Sequence, residues 1–167
     1  MLIEELQLYF DRNNGNSKVE DAMSLNNHFS KVSELGKDLE NGTLERVNEA
    51  VKNAEEIFQS LFKNEESEVF ALIYEFPEPN FFNATNEYLH SQFHNVLDQQ
   101  IISLEASKIF IYKTKLKDIS WKKIFRAIAN TEMGFEPGID QKVYFFDIEK
   151  NVAFYMYDDR GCLSNSL

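Results

Sequence analysis

A chain of 167 residues has the length of one domain and can bury a sizeable core. With 43% hydrophobic and 27% charged residues it has a folded, globular composition rather than a disordered one. A formal net charge of -11 argues against a nucleic-acid surface, which needs clustered Lys and Arg against phosphates, and against adhesion to an anionic membrane.

The acidity admits two uses. It keeps the chain soluble, or it draws in a basic protein partner through opposite fields. Cys162 is the one cysteine, so neither an internal disulfide nor a cysteine zinc cluster can form. The first residues, MLIEELQLYFDRNN, lack the basic start and continuous apolar stretch of a signal peptide, and no apolar run is long enough for a membrane span. The expected location is the cytoplasm.

In chain order, Leu2, Ile3, Leu6 and Phe10 fall at near-helical spacing, and Asn13-Asn14-Gly15-Asn16 stops the segment. From Asn13 to Gly42 the chain is polar, with scattered apolar residues, and predicts a short helix or irregular cover. Residues 1–42 are thus a cover, and 43–162 the core of a single domain spanning 1–167. Thr43 to Phe62 is the clearest helix, with Leu44, Val47, Val51, Ala54, Phe58 and Leu61 on one stripe and Thr43 as N-cap.

Glu68 to Phe76 (EVFALIYEF) reads as a central strand, apolar on both faces and ended by Pro77 and Pro79. Ala84 to Gln99 predicts a second long helix with Leu89, Phe93, Val96 and Leu97 inward and Tyr88 at the margin. Lys108 to Ile119 predicts a strand, and lysines at the same-face positions 113 and 115 place it at an edge or solvent face. Trp121 to Asn130 is a helix with a stripe of Trp121, Ile124, Phe125 and Ile128, and Asp118 and Ser120 are its candidate caps.

Met133 to Asp140, with Gly134, Pro137 and Gly138, is a connection. Lys142 to Ile148 and Val152 to Tyr157 form a hairpin whose turn Asp147 braces and Asn151 closes in the left-handed conformation. The implied fold is α+β, with a mixed or antiparallel sheet of about four strands and helices packed on one face.

Chemistry concentrates in few places. Asp158, Asp159 and Arg160 before Gly161 suit an anion site, a metal-ligand pair or a docking point. The favoured reading is structural: one Asp accepts turn amides, Arg160 pairs with the other, and Gly161 supplies a positive φ. His90 and His94, four apart on the expected helix, are a weak metal pair, since HSQFH lacks the glutamate of a zinc-protease helix. Glu132, Phe135 and Glu136 make a candidate binding loop, with Phe135 alternatively a plug. Cys162 reads as a structural thiol, because neighbouring carboxylates raise a thiol pKa. No catalytic residue and no cofactor are expected.

The segment IANTEMGFEPGIDQKVYFFDIEKNVAFYMYDDRGC resembles the signature half of the uncharacterised bacterial family known as "domain of unknown function 3885". The residues that carry the likeness are Ala127-Ile128-Ala129-Asn130, the aromatic hairpin Val143 to Met156, and the turn Tyr157 to Gly161. EAVKNAEEIFQSLF and the strand after it resemble the first half, so the likeness covers roughly 35 to 162. Members continue past the turn into a further strand or helix, whereas here a polar CLSNSL tail follows, which implies a C-terminally truncated member with an uncovered sheet edge.

The resemblance brings no activity with it. A small acidic chain without a catalytic constellation points to a non-enzymatic protein-binding module, such as an immunity or antitoxin-type inhibitor of a basic toxin. The alternatives are a metal-dependent hydrolase using Asp158 and Asp159, and a regulatory module with a small-molecule pocket under the aromatic hairpin.

Overall fold

The computed structural model describes residues 1–13, 15–77 and 86–165, without the side chain of Asn86. Pro79 and Ala84, assigned above to a strand stop and a helix start, lie outside the described residues. The helices are α1 (Leu2–Asn13), α2 (Leu44–Leu61), α3 (Asn86–His90) and α4 (Trp121–Met133). The strands are β1 (Lys31–Glu34), β2 (Glu68–Glu75), β3 (Asp98–Ser103), β4 (Lys108–Lys115), β5 (Lys142–Asp147), β6 (Val152–Asp158) and β7 (Gly161–Asn165).

These strands form one antiparallel sheet of seven in the order β1-β7-β6-β5-β2-β4-β3, not about four. Helical cover lies on both faces rather than one. On the first face α2 and α4 pack over Val69, Ala71, Val143, Phe145, Phe154 and Met156. On the other, α1 and a 3-10 helix at Ala22–His28 cover Phe70, Leu72, Tyr74, Tyr144 and Phe146. The strict alternation of β2 and β5 between the two clusters is what a strand buried on both faces requires.

Local signals explain most elements. Thr43 Oγ1 accepts from the Arg46 amide at 3.2 Å and starts α2, whose buried stripe is Val47, Ala50, Val51, Ala54 and Phe58. The Phe58 ring stacks on Phe62 at 4.4 Å and meets Trp121, Phe125, Phe145 and Phe154 edge-on or tilted, joining both helices to the sheet. In the β5–β6 hairpin Asp147 Oδ1 accepts from the Lys150 amide at 3.2 Å, and Asn151 takes φ 54°, as expected.

Four further expectations change. The second long helix is the single turn α3, because the chain reverses at Asn95, in the left-handed conformation at φ 48°, and then runs into β3. β4 is not an edge; it lies between β2 and β3, and Lys113 reaches over the Phe70 ring toward Glu5. Ser120 precedes α4 without a side-chain cap, its hydroxyl being held by His94. The polar tail is no uncovered edge. Its residues 162–165 lie in β7, paired on both sides by β6 and β1, and their presence makes the four-residue β1 a strand.

Candidate functional site

The two-residue turn between β6 and β7 is where three elements meet. Asp158 Oδ1 accepts from the Arg160 amide at 2.7 Å, and its Oδ2 accepts from Arg160 Nε at 3.0 Å and Nη2 at 2.6 Å. One aspartate therefore performs both tasks that the sequence divided between two. Gly161 has no positive φ; it is needed because a Cβ there would overlap the Tyr157 hydroxyl and approach the Ser33 carbonyl at 2.9 Å.

Asp159 points to the helical face instead. Its carboxylate is 1% exposed and lies 3.3 Å from Arg46 Nε of α2. Its own carbonyl accepts from the Gly36 amide at 3.0 Å, and the Arg160 carbonyl from Leu35 at 2.9 Å. A Cβ on Gly36 would overlap the Arg46 guanidinium, so only glycine leaves room for that side chain. The segment after β1 thus seats α2 on the turn.

Glu132, near the C-terminal end of α4, completes the group. Carboxylate oxygens of Glu132, Asp158 and Asp159 lie within 4.8 Å of one another. Burial, with Asp158 nearby, raises the Asp159 pKa, and the opposing pull of Arg46 is the smaller effect. The Glu132 pKa is raised by burial first and then by Asp158. Glu132 remains exposed, and with Asp158 it lines a cleft of about 580 Å³ whose walls include Ile128, Thr131, Ile139 and Tyr155.

The loop beyond α4 is tied down by two residues. Buried Asn130 donates to the Pro137 carbonyl at 2.9 Å, while Thr131 Oγ1 accepts from the Ile139 amide at 2.9 Å and is 2.7 Å from its carbonyl. Phe135 packs half-buried against the core, as a plug does, and Glu136 is exposed.

The two histidines are held by separate side-chain partners. His90 Nε2 lies 2.9 Å from Glu75 Oε1 and its Nδ1 lies 2.8 Å from the Tyr112 hydroxyl, so both nitrogens are engaged. Beyond the end of α3, His94 Nε2 meets Ser120 Oγ at 3.0 Å. Cys162 is fully buried on β7, and burial pushes its thiol up to about 12.

Arg46 was not visible as a site residue. Nothing in ERVNEAV marks it, and only the fold brings it to residue 159. Asp158, Asp159 and Glu132 were legible as acidic candidates, and the two aspartates as a pair, but the approach of Glu132 to them was not.

No curated protein and no solved structure matches the chain. The sequence pattern of the family described as "Domain of unknown function (DUF3885)" matches residues 6–163. The match begins in α1 and ends in β7, so it takes in the N-terminal cover and the last strand as well as the hairpin. With nearly its whole length matched, and with the Tyr157–Gly161 turn placed where strands and helices join, the chain belongs to the DUF3885 family.

Proposed function

We propose that this chain is a non-enzymatic protein-binding module of the cytoplasm, of the immunity or antitoxin type, that takes a basic protein partner. The observation supporting this reading is where the fold leaves its carboxylates. Among the described residues, Asp147, Asp158 and Asp159 are the acidic side chains it buries. The other described Asp and Glu residues keep contact with water, and they still outnumber Lys and Arg, so the surface is acidic in keeping with the net charge of -11. Such a field accelerates encounter with a cationic surface and selects its orientation.

Glu132 and Glu136, exposed at the end of α4 and in the loop beyond it, are the carboxylates assigned to the partner. Asp158 and Asp159 shape the turn beneath them. No helix among the described residues is long and apolar enough to cross a membrane.

The test is affinity capture from host lysate, with the Glu132→Lys/Glu136→Lys double variant beside the wild type. One stoichiometric basic protein, lost in the variant and released by raised salt, is the expected result. Capture that ignores both salt and charge reversal overturns electrostatic recognition. A second reading, a small-molecule regulatory module, is favoured by the cleft of about 580 Å³ beside the aromatic hairpin.

A further inference from the structure

We infer that Glu132, Asp158 and Asp159 form a site for one hard divalent cation, Ca²⁺, Mg²⁺ or Mn²⁺, between the end of α4 and the β6–β7 turn. The site shares Glu132 with the partner-facing carboxylates, but none of the observations below rests on the protein-binding reading. Spacing is the first argument. Oxygens that share Ca²⁺ at about 2.4 Å are at most about 4.8 Å apart, one ligand oxygen from each of these carboxylates satisfies that limit, and the smaller Mg²⁺ would need them drawn closer.

The second argument is Asp159 itself. Its side chain is 1% exposed, yet neither carboxylate oxygen receives a hydrogen bond from another residue. Arg46 Nε stands 3.3 Å from Oδ2 as an ion pair, but it makes no hydrogen bond to the carboxylate or to any other group. The Arg46 ion pair offsets part of the charge, but a buried carboxylate without a hydrogen bond from a neighbour keeps lone pairs that a ligand can occupy. A cation does so, and an anion or a further acceptor does not.

Charge and donor chemistry agree with this. Arg46 pairs with Asp159 and Arg160 with Asp158, so the three carboxylates outnumber the two guanidinium groups paired with them, while Lys142 lines the adjoining cleft. Asp158 already accepts three hydrogen bonds from Arg160, so it contributes the remaining lone pair of Oδ1. All donors are oxygens, which selects hard ions over zinc or copper. Glu132 and Asp158 open onto the cleft, where water can complete the coordination shell. A bound ion would clamp α4 to the turn, and binding only the folded chain it would raise stability.

The experiment uses chelator-treated full-length protein, titrated separately with CaCl₂, MgCl₂ and MnCl₂. Thermal unfolding is the first readout, and the Mn²⁺ electron-spin signal counts ions bound. The probe variant is Glu132→Gln, at an exposed position, with Glu136→Gln as a control outside the cluster. The expected result is a saturable rise in Tm with one Mn²⁺ per chain. Glu132→Gln should bind at least about tenfold more weakly, since losing even an outer-shell partner weakens metal sites that much. Its metal-free Tm should equal or exceed that of the wild type, because a like charge has gone, and Glu136→Gln should bind as the wild type does. The absence of a saturable shift and of bound Mn²⁺ overturns the site, as does Glu132→Gln responding like the wild type.

Discussion

Arg46 of α2 and Asp159 of the β6–β7 turn approach to 3.3 Å, and both side chains are almost removed from water. Burial raises the Asp159 pKa despite the guanidinium, so the pair owes its persistence to being closed in rather than to ideal geometry. Removing one partner leaves the other charge buried and alone. Arg46→Met should therefore cost about 3–5 kcal/mol, while the double variant Arg46→Met/Asp159→Asn should recover a large part of that loss. Urea unfolding of the four members of this cycle checks the ordering; an additive double variant would show that the two charges do not interact.

A second prediction concerns pH. His28 is 4% exposed, ringed by Tyr9, Phe10, Phe29 and Phe146, and its pKa is lowered to about 4 by burial. The unfolded chain, with an ordinary histidine pKa of about 6.5, then binds the proton more readily than the folded one. The His28 contribution is complete above the unfolded value and is lost as pH falls from about 6.5 toward about 4. Between neutral pH and pH about 5 the loss from this group should be about 2 kcal/mol. Comparing unfolding of the wild type and His28→Gln at both pH values isolates it, since other titrating groups are common to the two. Equal pH slopes would show that His28 carries no such penalty.

Much of the fold could be read because its signals are local. The α2 stripe, the doubly apolar β2 and the Asp147–Asn151 turn each depend on residues within a few positions of one another. What escaped was set by distant partners. Lys31–Glu34 has no strand pattern of its own and becomes β1 because β7 supplies its ladder. Leu89, Phe93, Val96 and Leu97 imitate a helical stripe, but Asn95 turns the chain and β4 takes the following segment as an edge strand. Lysines on β4 suggested exposure, whereas aliphatic stems and an aromatic ring accommodate Lys113 within the sheet. The candidate site divides in the same way. Its acidic residues were evident, but the link through Arg46 spans most of the chain and leaves no sequence signature.

The aromatic joint on α2 gives a third expectation. Phe58 contacts the aromatic ring of Phe62 just past α2 and rings from α4, β5 and β6, and it is fully buried. Phe58→Ala removes these contacts and leaves a cavity that rigid strands cannot close, so it should cost about 3–5 kcal/mol. Phe58→Leu, which keeps most of the volume, should cost clearly less. Chemical denaturation of both variants tests the ordering, and equal losses would argue against a cavity as the cause.

Cys162 reports on the last strand. The thiol is buried at a position where β7 is flanked by β6 and β1, and burial holds its pKa at about 12, so thiolate is scarce at neutral pH. A thiol reagent should therefore label the native protein only through openings that expose β7. If β7 belongs to the cooperative core, the labelling rate should rise with urea as steeply as global unfolding does. If the short β1 peels away first, labelling should occur at low urea with little dependence on it. The first outcome is expected, because Leu35 and Gly36 anchor the end of β1 to the carbonyls of Arg160 and Asp159, and Asn53 Nδ2 of α2 donates to the Leu35 carbonyl. Replacing Asn53 by Ala removes one of those anchors, and it should shift labelling toward the second pattern.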